Sequence, residues 1–238
     1  MAYIYEYIRT RGFEPLYFEE HYAHLEELAR NILYTSLDID RQELKKNIAD
    51  TLYRNGFKPN TSHLVKVCYD TEKRVKIVTG EVLYDHFSAR AIRPTIGCVE
   101  RIAKGSTLLE NCSVKDAMLE LHFAQNAKLD NPNALTIWAT EEGEVVAIDG
   151  SPIVAVFEDE IRFSPNGGGV EYNLVYKAAM EQFGSVTQAP LLLSELKEAK
   201  ELLFVDCRGI TAIDRWEEHH YMDLTAIVLA SQVAKNEH

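Results

Sequence analysis

The stretch Ile4–Leu28, "IYEYIRTRGFEPLYFEEHYAHLEEL", decides how the chain is read. Its opening is rich in aromatic and β-branched side chains, the composition of a strand. "RGFEP" then supplies turn chemistry, and "LYF" suggests a second short strand. From Glu19 to Tyr34 the spacing changes, with Tyr22, Leu25, Leu28, Ala29 and Ile32 recurring at helical intervals. Strand, turn and amphipathic helix follow in this order, as expected at the start of a mixed α/β (α+β) chain.

The same reading runs outward. A second helix is expected over Arg41–Arg54, ended by "NGFKPN", and "HLVKVCYD" and "KRVKIVTGEVLYD" read as strands. "AIRPTIGCVERIAKGSTLLENC" reads as a strand leading into a connecting loop, which places a boundary between two lobes around residues 102 to 112. The lobes are then residues 1–105, a small N-terminal α/β domain, and 106–238, a larger C-terminal α/β domain. A helix carrying Lys115 opens the second lobe. Strands "ALTIWAT", "EVVAI", "PIVAVF" and "EIRFS" follow, then a helix from about Val170 to Phe183. "LLLSELKEAKELLFVD" reads as a short helix running into a strand, "GITAIDRW" as a strand, and Asp223 to Ala234 as a last helix.

Composition bounds the function classes. The 238 residues suffice for a sizeable core, and 46% hydrophobic and 26% charged residues are ordinary for a soluble globular protein. A formal net charge of -12 argues against a sequence-independent nucleic-acid binder, which needs a basic surface. Cys68, Cys98, Cys112 and Cys207 form no C-x-x-C pair, so neither a disulfide framework nor a zinc site is expected. No signal-peptide core or membrane-length apolar run is found, so the expectation is a cytoplasmic protein with no membrane partner. His21 and His24 stand three apart, but a metal site would need a third ligand, and none is expected.

Two loops offer anion-binding geometry. "SPNGGGVEYN" places three glycines before a helix, so backbone N–H groups could converge on an anion at its N-terminus; the alternative is a flexible turn. "LLFVDCRGIT" is a second tight strand-loop-strand segment, or a simple turn.

The order of these pieces resembles the class IV aminotransferases. This is the fold-type IV pyridoxal 5′-phosphate (PLP) family, which includes branched-chain aminotransferases, D-amino-acid aminotransferases and 4-amino-4-deoxychorismate lyases. Glu6, Arg9, Gly12, Phe18, His21 and Leu25 match the family's opening "f-E-x-x-R…G…f…H-x-x-R-L". Lys115, followed by "ALTIWAT" and "EEGEVV", matches the lysine and hairpin that open its larger domain. The resemblance implies a two-lobed fold, a homodimer and a small amino-acid-type substrate. It makes Lys115 the candidate Schiff-base lysine, a role that needs an amine neutralised by burial beside a cationic cofactor. It also implies a carboxylate against the pyridine nitrogen. "VVAIDGSPIV" places Ala147 there without gaps, or Asp149 if the loop is two residues shorter.

For the cofactor phosphate, the resemblance points to His24, in place of the family arginine, and to two loops. Gly169, Val170 and Glu171 stand at the first, where the family's hydroxyl is a carboxylate. Asp206, Cys207 and Arg208 stand at the second, again with an added acid. Arg90 and Arg93 are candidates for a substrate carboxylate, by the bidentate geometry arginine offers, or are plain surface charges. The implied function is a PLP-dependent aminotransferase or an aminodeoxychorismate-lyase-like enzyme. The alternative is a degenerate member that keeps the fold, binds no PLP and acts as a binding or interaction protein.

Overall fold

The computed structural model describes residues 3–83, 87–102, 134–165 and 167–235. It divides into two compact units, residues 1–86 and 87–236.

The first unit contains β1 (Tyr3–Arg11), β2 (Glu14–Pro15), α1 (Phe18–Ile32), α2 (Arg41–Arg54), β3 (Ser62–Asp70) and β4 (Val75–Leu83). Its sheet has the order β2-β1-β3-β4, antiparallel throughout. Side chains alternate along β1, so Ile4, Glu6 and Ile8 share one face and Tyr3, Tyr5 and Tyr7 the other. The helices cover the first face with Leu25, Leu28, Leu44, Ile48 and Leu52, all essentially inaccessible to solvent. Asp40 caps α2 by accepting a hydrogen bond from the Glu43 amide at 2.9 Å. The expected strand "LYF" does not form. Pairing with β1 stops at Pro15, Tyr17 adopts a left-handed φ of 49°, and Phe18 already begins α1.

The second unit contains β5 (Thr95–Ile102), β6 (Ala134–Thr140), β7 (Val145–Ile148), β8 (Ile153–Val156), β9 (Ile161–Phe163), α3 (Val170–Gln182), β10 (Val186–Gln188) and α4 (Leu193–Leu196). β11 (Glu201–Asp206), β12 (Gly209–Ala212), β13 (Arg215–Trp216), β14 (His219–His220) and α5 (Leu224–Lys235) follow. Two five-stranded sheets result, β10-β9-β8-β11-β12 and β14-β13-β5-β6-β7.

The first of these sheets is apolar on both faces, and the alternation shows why. Val154, Leu203, Val205 and Ile210 join a core with Val175 and Ala179 of α3 and Leu229 and Val233 of α5. Ile153, Ala155, Leu202 and Phe204, one step out of phase, join a second core with Ile137 and Val145 of the other sheet. A sheet sandwiched in this way reads as unbroken runs such as "IVAV" and "LLFV" rather than as alternating polarity.

β5 pairs in parallel with β6 from Thr95 to Ile102. The division between the units therefore falls at residues 86 and 87, not near residue 105, because pairing to the second unit begins well ahead of the connecting loop.

Candidate functional site

Strand direction gathers most of the candidate residues at one end of the β8–β9–β11 sheet. β8 is antiparallel to both β9 and β11, with Val154 opposite Phe163 and Leu203. The start of β8 thus lies beside the ends of the other two, and backbone bonds confirm it: the Ser164 amide donates to Ile153 and the Val205 amide to Pro152. Three connections meet here: Asp149–Pro152 entering β8, Ser164–Gly169 leaving β9 for α3, and Asp206–Arg208 joining β11 to β12.

The first is a tight turn. Ile148 and Ser151 exchange backbone hydrogen bonds, and Asp149 and Gly150 have φ of 45° and 75°. Two successive left-handed residues, Asp then Gly, are the signature of a type I′ turn. The Asp149 amide donates to the Thr136 carbonyl, and its carboxylate accepts the Thr136 amide at 2.9 Å. Asp149 is thereby held rigidly at the sheet end. Ala147 is buried within β7 opposite Trp138, before the turn begins.

The second connection folds onto Tyr172, whose hydroxyl donates to the Ser164 carbonyl at 2.5 Å. The ring leaves room only for glycine at residue 167, since a Cβ there would meet it at 2.1 Å. Gly169, with φ of 104°, is the N-cap of α3, and no side chain caps the helix. The opening amides of α3 carry the positive end of the helix dipole, while Glu171 in the first turn opposes an incoming anion. The Ser164 hydroxyl is buried without a hydrogen-bond partner among the described residues. Nothing in the sequence singled out Ser164, because a serine closing a strand carries no motif.

In the third connection Asp206 turns on its own loop. Its Oδ1 accepts the Arg208 amide at 2.8 Å, and its Oδ2 lies 3.8 Å from the Arg208 guanidinium. Cys207 stands between them at intermediate exposure. Arg90 runs beside β12, its amide donating to the Ile210 carbonyl at 2.8 Å, and no carboxylate pairs with its guanidinium among the described residues.

Arg93 does not join this group. It lies past the opposite end of β12, where its guanidinium donates to the Tyr221 carbonyl at 2.7 Å and faces Asp214 and Asp223 at 3.6 and 3.5 Å. Lys115 falls outside the described residues.

His24 lies in the first unit on α1. Glu6 of β1 is bracketed by two imidazoles, its Oε1 2.7 Å from His21 Nδ1 and its Oε2 3.0 Å from His24 Nδ1. Burial alone would raise the Glu6 pKa, but the hydrogen bonds and charges of the two histidines outweigh it and hold it at about 2. For His24, burial disfavours the charge, yet the Glu6 hydrogen bond and charge prevail and the pKa is raised. Among the described residues no His, Cys, Asp and Glu cluster could hold a metal ion. No described helix is long and apolar enough to cross a membrane.

A family model for class IV amino-transferases matches residues 3–216, and the chain belongs to that family. The fold agrees with solved structures at low identity. A branched-chain aminotransferase from Thermoproteus uzoniensis is 18% identical, with a TM-score of 0.76 over 99% of this chain and 84% of that one. A fold IV transaminase from Curtobacterium pusillum is 18% identical, with a TM-score of 0.74 over 98% and 86%. The PLP-bound form of a hypothetical aminotransferase from Mycobacterium tuberculosis is 11% identical, with a TM-score of 0.73 over 99% and 90%. A search of curated proteins finds no significant match. The two-unit α/β architecture is that of fold-type IV.

A phosphate such as that of PLP would meet both donors and acids at the sheet end of the second unit. The α3 amides, the buried Ser164 hydroxyl and the Arg208 guanidinium are suitable donors, opposed by the Glu171 and Asp206 carboxylates.

Proposed function

We propose that the chain is a PLP-dependent enzyme of the aminotransferase or aminodeoxychorismate-lyase kind, acting on an amino-acid-type substrate. The observation that carries this reading is the convergence of the Asp149, Gly169–Glu171 and Asp206–Arg208 segments on one sheet end. PLP, when bound, supplies an electron sink for chemistry at the substrate's α-carbon. The Gly169, Val170 and Glu171 amides and the Cys207–Arg208 turn hold the phosphate. With PLP bound, Asp149, immobilised through Thr136, would set its negative charge against the ring nitrogen and keep it protonated. Ala147 has no group for that role. Lys115 supplies the amine that anchors the cofactor and moves the proton at the α-carbon. Arg90 binds the substrate carboxylate. We place the enzyme in the cytoplasm as a homodimer, the state the family likeness favours.

The test is spectroscopic. Purified protein with added PLP should show the near-visible band of lysine-bound cofactor, lost in Lys115→Ala, and borohydride should fix the cofactor on the Lys115 peptide in mass spectra. No band in either protein sinks the reading, and a band surviving the substitution moves the role to another lysine. The phosphate loops give a second expectation. Removing one carboxylate charge, by Glu171→Gln or Asp206→Asn, should lower the PLP Kd by roughly fivefold, the scale of one like-charge repulsion across about 4 Å of water. Spectral titration reads this directly.

One observation favours a second reading, a family member that binds no PLP and serves as a binding protein. Asp206 already satisfies the Arg208 amide that a phosphate would use. Under that reading Asp206→Asn produces no band at any PLP concentration.

A further inference from the structure

The end of α2 carries a chemically labile pair that the PLP reading leaves unused. The chain contains two Asn-Gly steps, Asn55–Gly56 and Asn166–Gly167, and Asn166 lies outside the described residues. Asn55 is the C-cap of α2, and Gly56 follows it with φ of 77°. The Gly56 amide donates to the Tyr53 carbonyl at 3.0 Å, and the Phe57 amide to the Leu52 carbonyl at 3.2 Å. This pair of bonds is a Schellman motif, which needs a left-handed residue, usually glycine, directly after the cap. Helix termination thus explains why a glycine stands beside Asn55. Both residues are exposed, and nothing lies within 4 Å of a Cβ built on Gly56.

That glycine opens Asn55 to attack. With no Cβ at residue 56, its backbone nitrogen has free approach to the Asn55 side-chain carbonyl. The nitrogen gives up its proton to solvent base and bonds to Cγ, and the side-chain nitrogen leaves as ammonia. Water then opens the resulting ring at either carbonyl, leaving aspartate or an isoaspartate linkage. The folded geometry opposes the first step. Ring closure needs the Asn55 Cβ and the Gly56 nitrogen eclipsed about the Cα–C bond, whereas a ψ of 4° eclipses the two backbone nitrogens instead. The Gly56 amide proton is held by Tyr53, and the Asn55 Nδ2 donates to the Thr51 carbonyl at 2.9 Å. Reaching the reactive geometry breaks both bonds, so the last turn of α2 must unwind, an opening that helix ends make locally.

We propose that Asn55 is a deamidation site gated by the C-terminal turn of α2, protected while the turn is closed and converted when it opens. The product does not restore the closed turn. An aspartate at residue 55 has no Nδ2–H donor for Thr51, and its charge sits at the negative end of the helix dipole. The site lies wholly within the first unit and is independent of the cofactor reading.

The test ages the full chain in mildly alkaline buffer, with and without guanidinium chloride, and follows the tryptic peptide Asn55–Lys66 by mass spectrometry. In denaturant Asn55 should convert to aspartate and isoaspartate, while Asn60 in the same peptide, hindered by the β-branched Thr61 that follows it, stays largely amide. In native buffer the conversion at Asn55 should be slower by about tenfold or more. Tyr53→Gly, which weakens the turn outside the reacting pair, should speed native conversion about threefold and leave the denatured rate unchanged. Asn55→Asp, the product made directly, should speed hydrogen exchange at the Gly56 and Phe57 amides about two- to fivefold. No conversion at Asn55 in denaturant overturns the site. Equal rates in buffer and denaturant overturn the gate, as does a native rate unmoved in folded Tyr53→Gly. Wild-type exchange in Asn55→Asp overturns the loosening of the turn by the product.

Discussion

Glu6→Ala is expected to destabilise the protein by about 3–5 kcal/mol, the usual consequence of breaking a buried charged hydrogen-bond cluster. The substitution strips both histidine Nδ1 atoms of a shared acceptor and leaves a hole between β1 and α1. The pH profile gives the assignment its sharpest form. A fall in the Glu6 pKa from 4.5 to about 2 on folding corresponds to about 3 kcal/mol. Because the folded pKa is depressed, that stability is present above pH 4.5 and lost as the pH falls towards 2. His24 has the opposite sign: its folded pKa is raised above 6.5, so its contribution is present below pH 6.5 and lost as the pH rises through the folded value. Together they make a stability maximum between about pH 4.5 and 6.5. Urea titrations across pH should find both limbs in the wild type and neither in Glu6→Gln. An unchanged acid limb in Glu6→Gln would assign that limb to other carboxylates.

This cluster marks a limit of the sequence. Helix spacing put His21 and His24 on one face of α1, and the family pattern placed His24 at the cofactor phosphate. The distant partner Glu6 was not legible, because it reaches the helix only through the packing of β1 beneath α1. Turn chemistry was more readable. "DG" at Asp149–Gly150 specifies its own φ angles, and the structure shows those angles. The helices at residues 41–54 and near residues 170–183 were also legible from periodicity. The domain boundary was not, since "TIGCVERI" reads as a strand and its choice of partner, β6, depends on the tertiary fold. Arg90 and Arg93 look alike in "SARAIRP", yet backbone pairing sends one to the start of β12 and the other past its end. Local pattern gives the element; pairing decides its neighbours.

Gly209→Ala should cost about 3 kcal/mol or more, through backbone geometry alone. Gly209 has φ of 132°, a conformation essentially reserved for glycine, and a Cβ built there would lie 2.1 Å from the Ser88 carbonyl oxygen. That oxygen cannot simply retreat. It accepts the Ile210 amide at 3.1 Å, and the Arg90 amide two residues on donates back to the Ile210 carbonyl at 2.8 Å. Relief of the clash therefore requires the 88–90 segment to leave β12. Gly169 provides the control, being also at positive φ but with nothing within 4 Å of a built Cβ. Gly169→Ala should cost only about 1–2 kcal/mol, the strain of the left-handed backbone without a collision. Gly209→Ala displaces both Arg90 and the Asp206–Arg208 turn, so PLP titration should show weaker binding along with the lower urea midpoint. A Gly209→Ala protein within 1 kcal/mol of wild type would mean that Ser88–Arg90 does not lie against β12 in solution, and Arg90 would lose its place in the site.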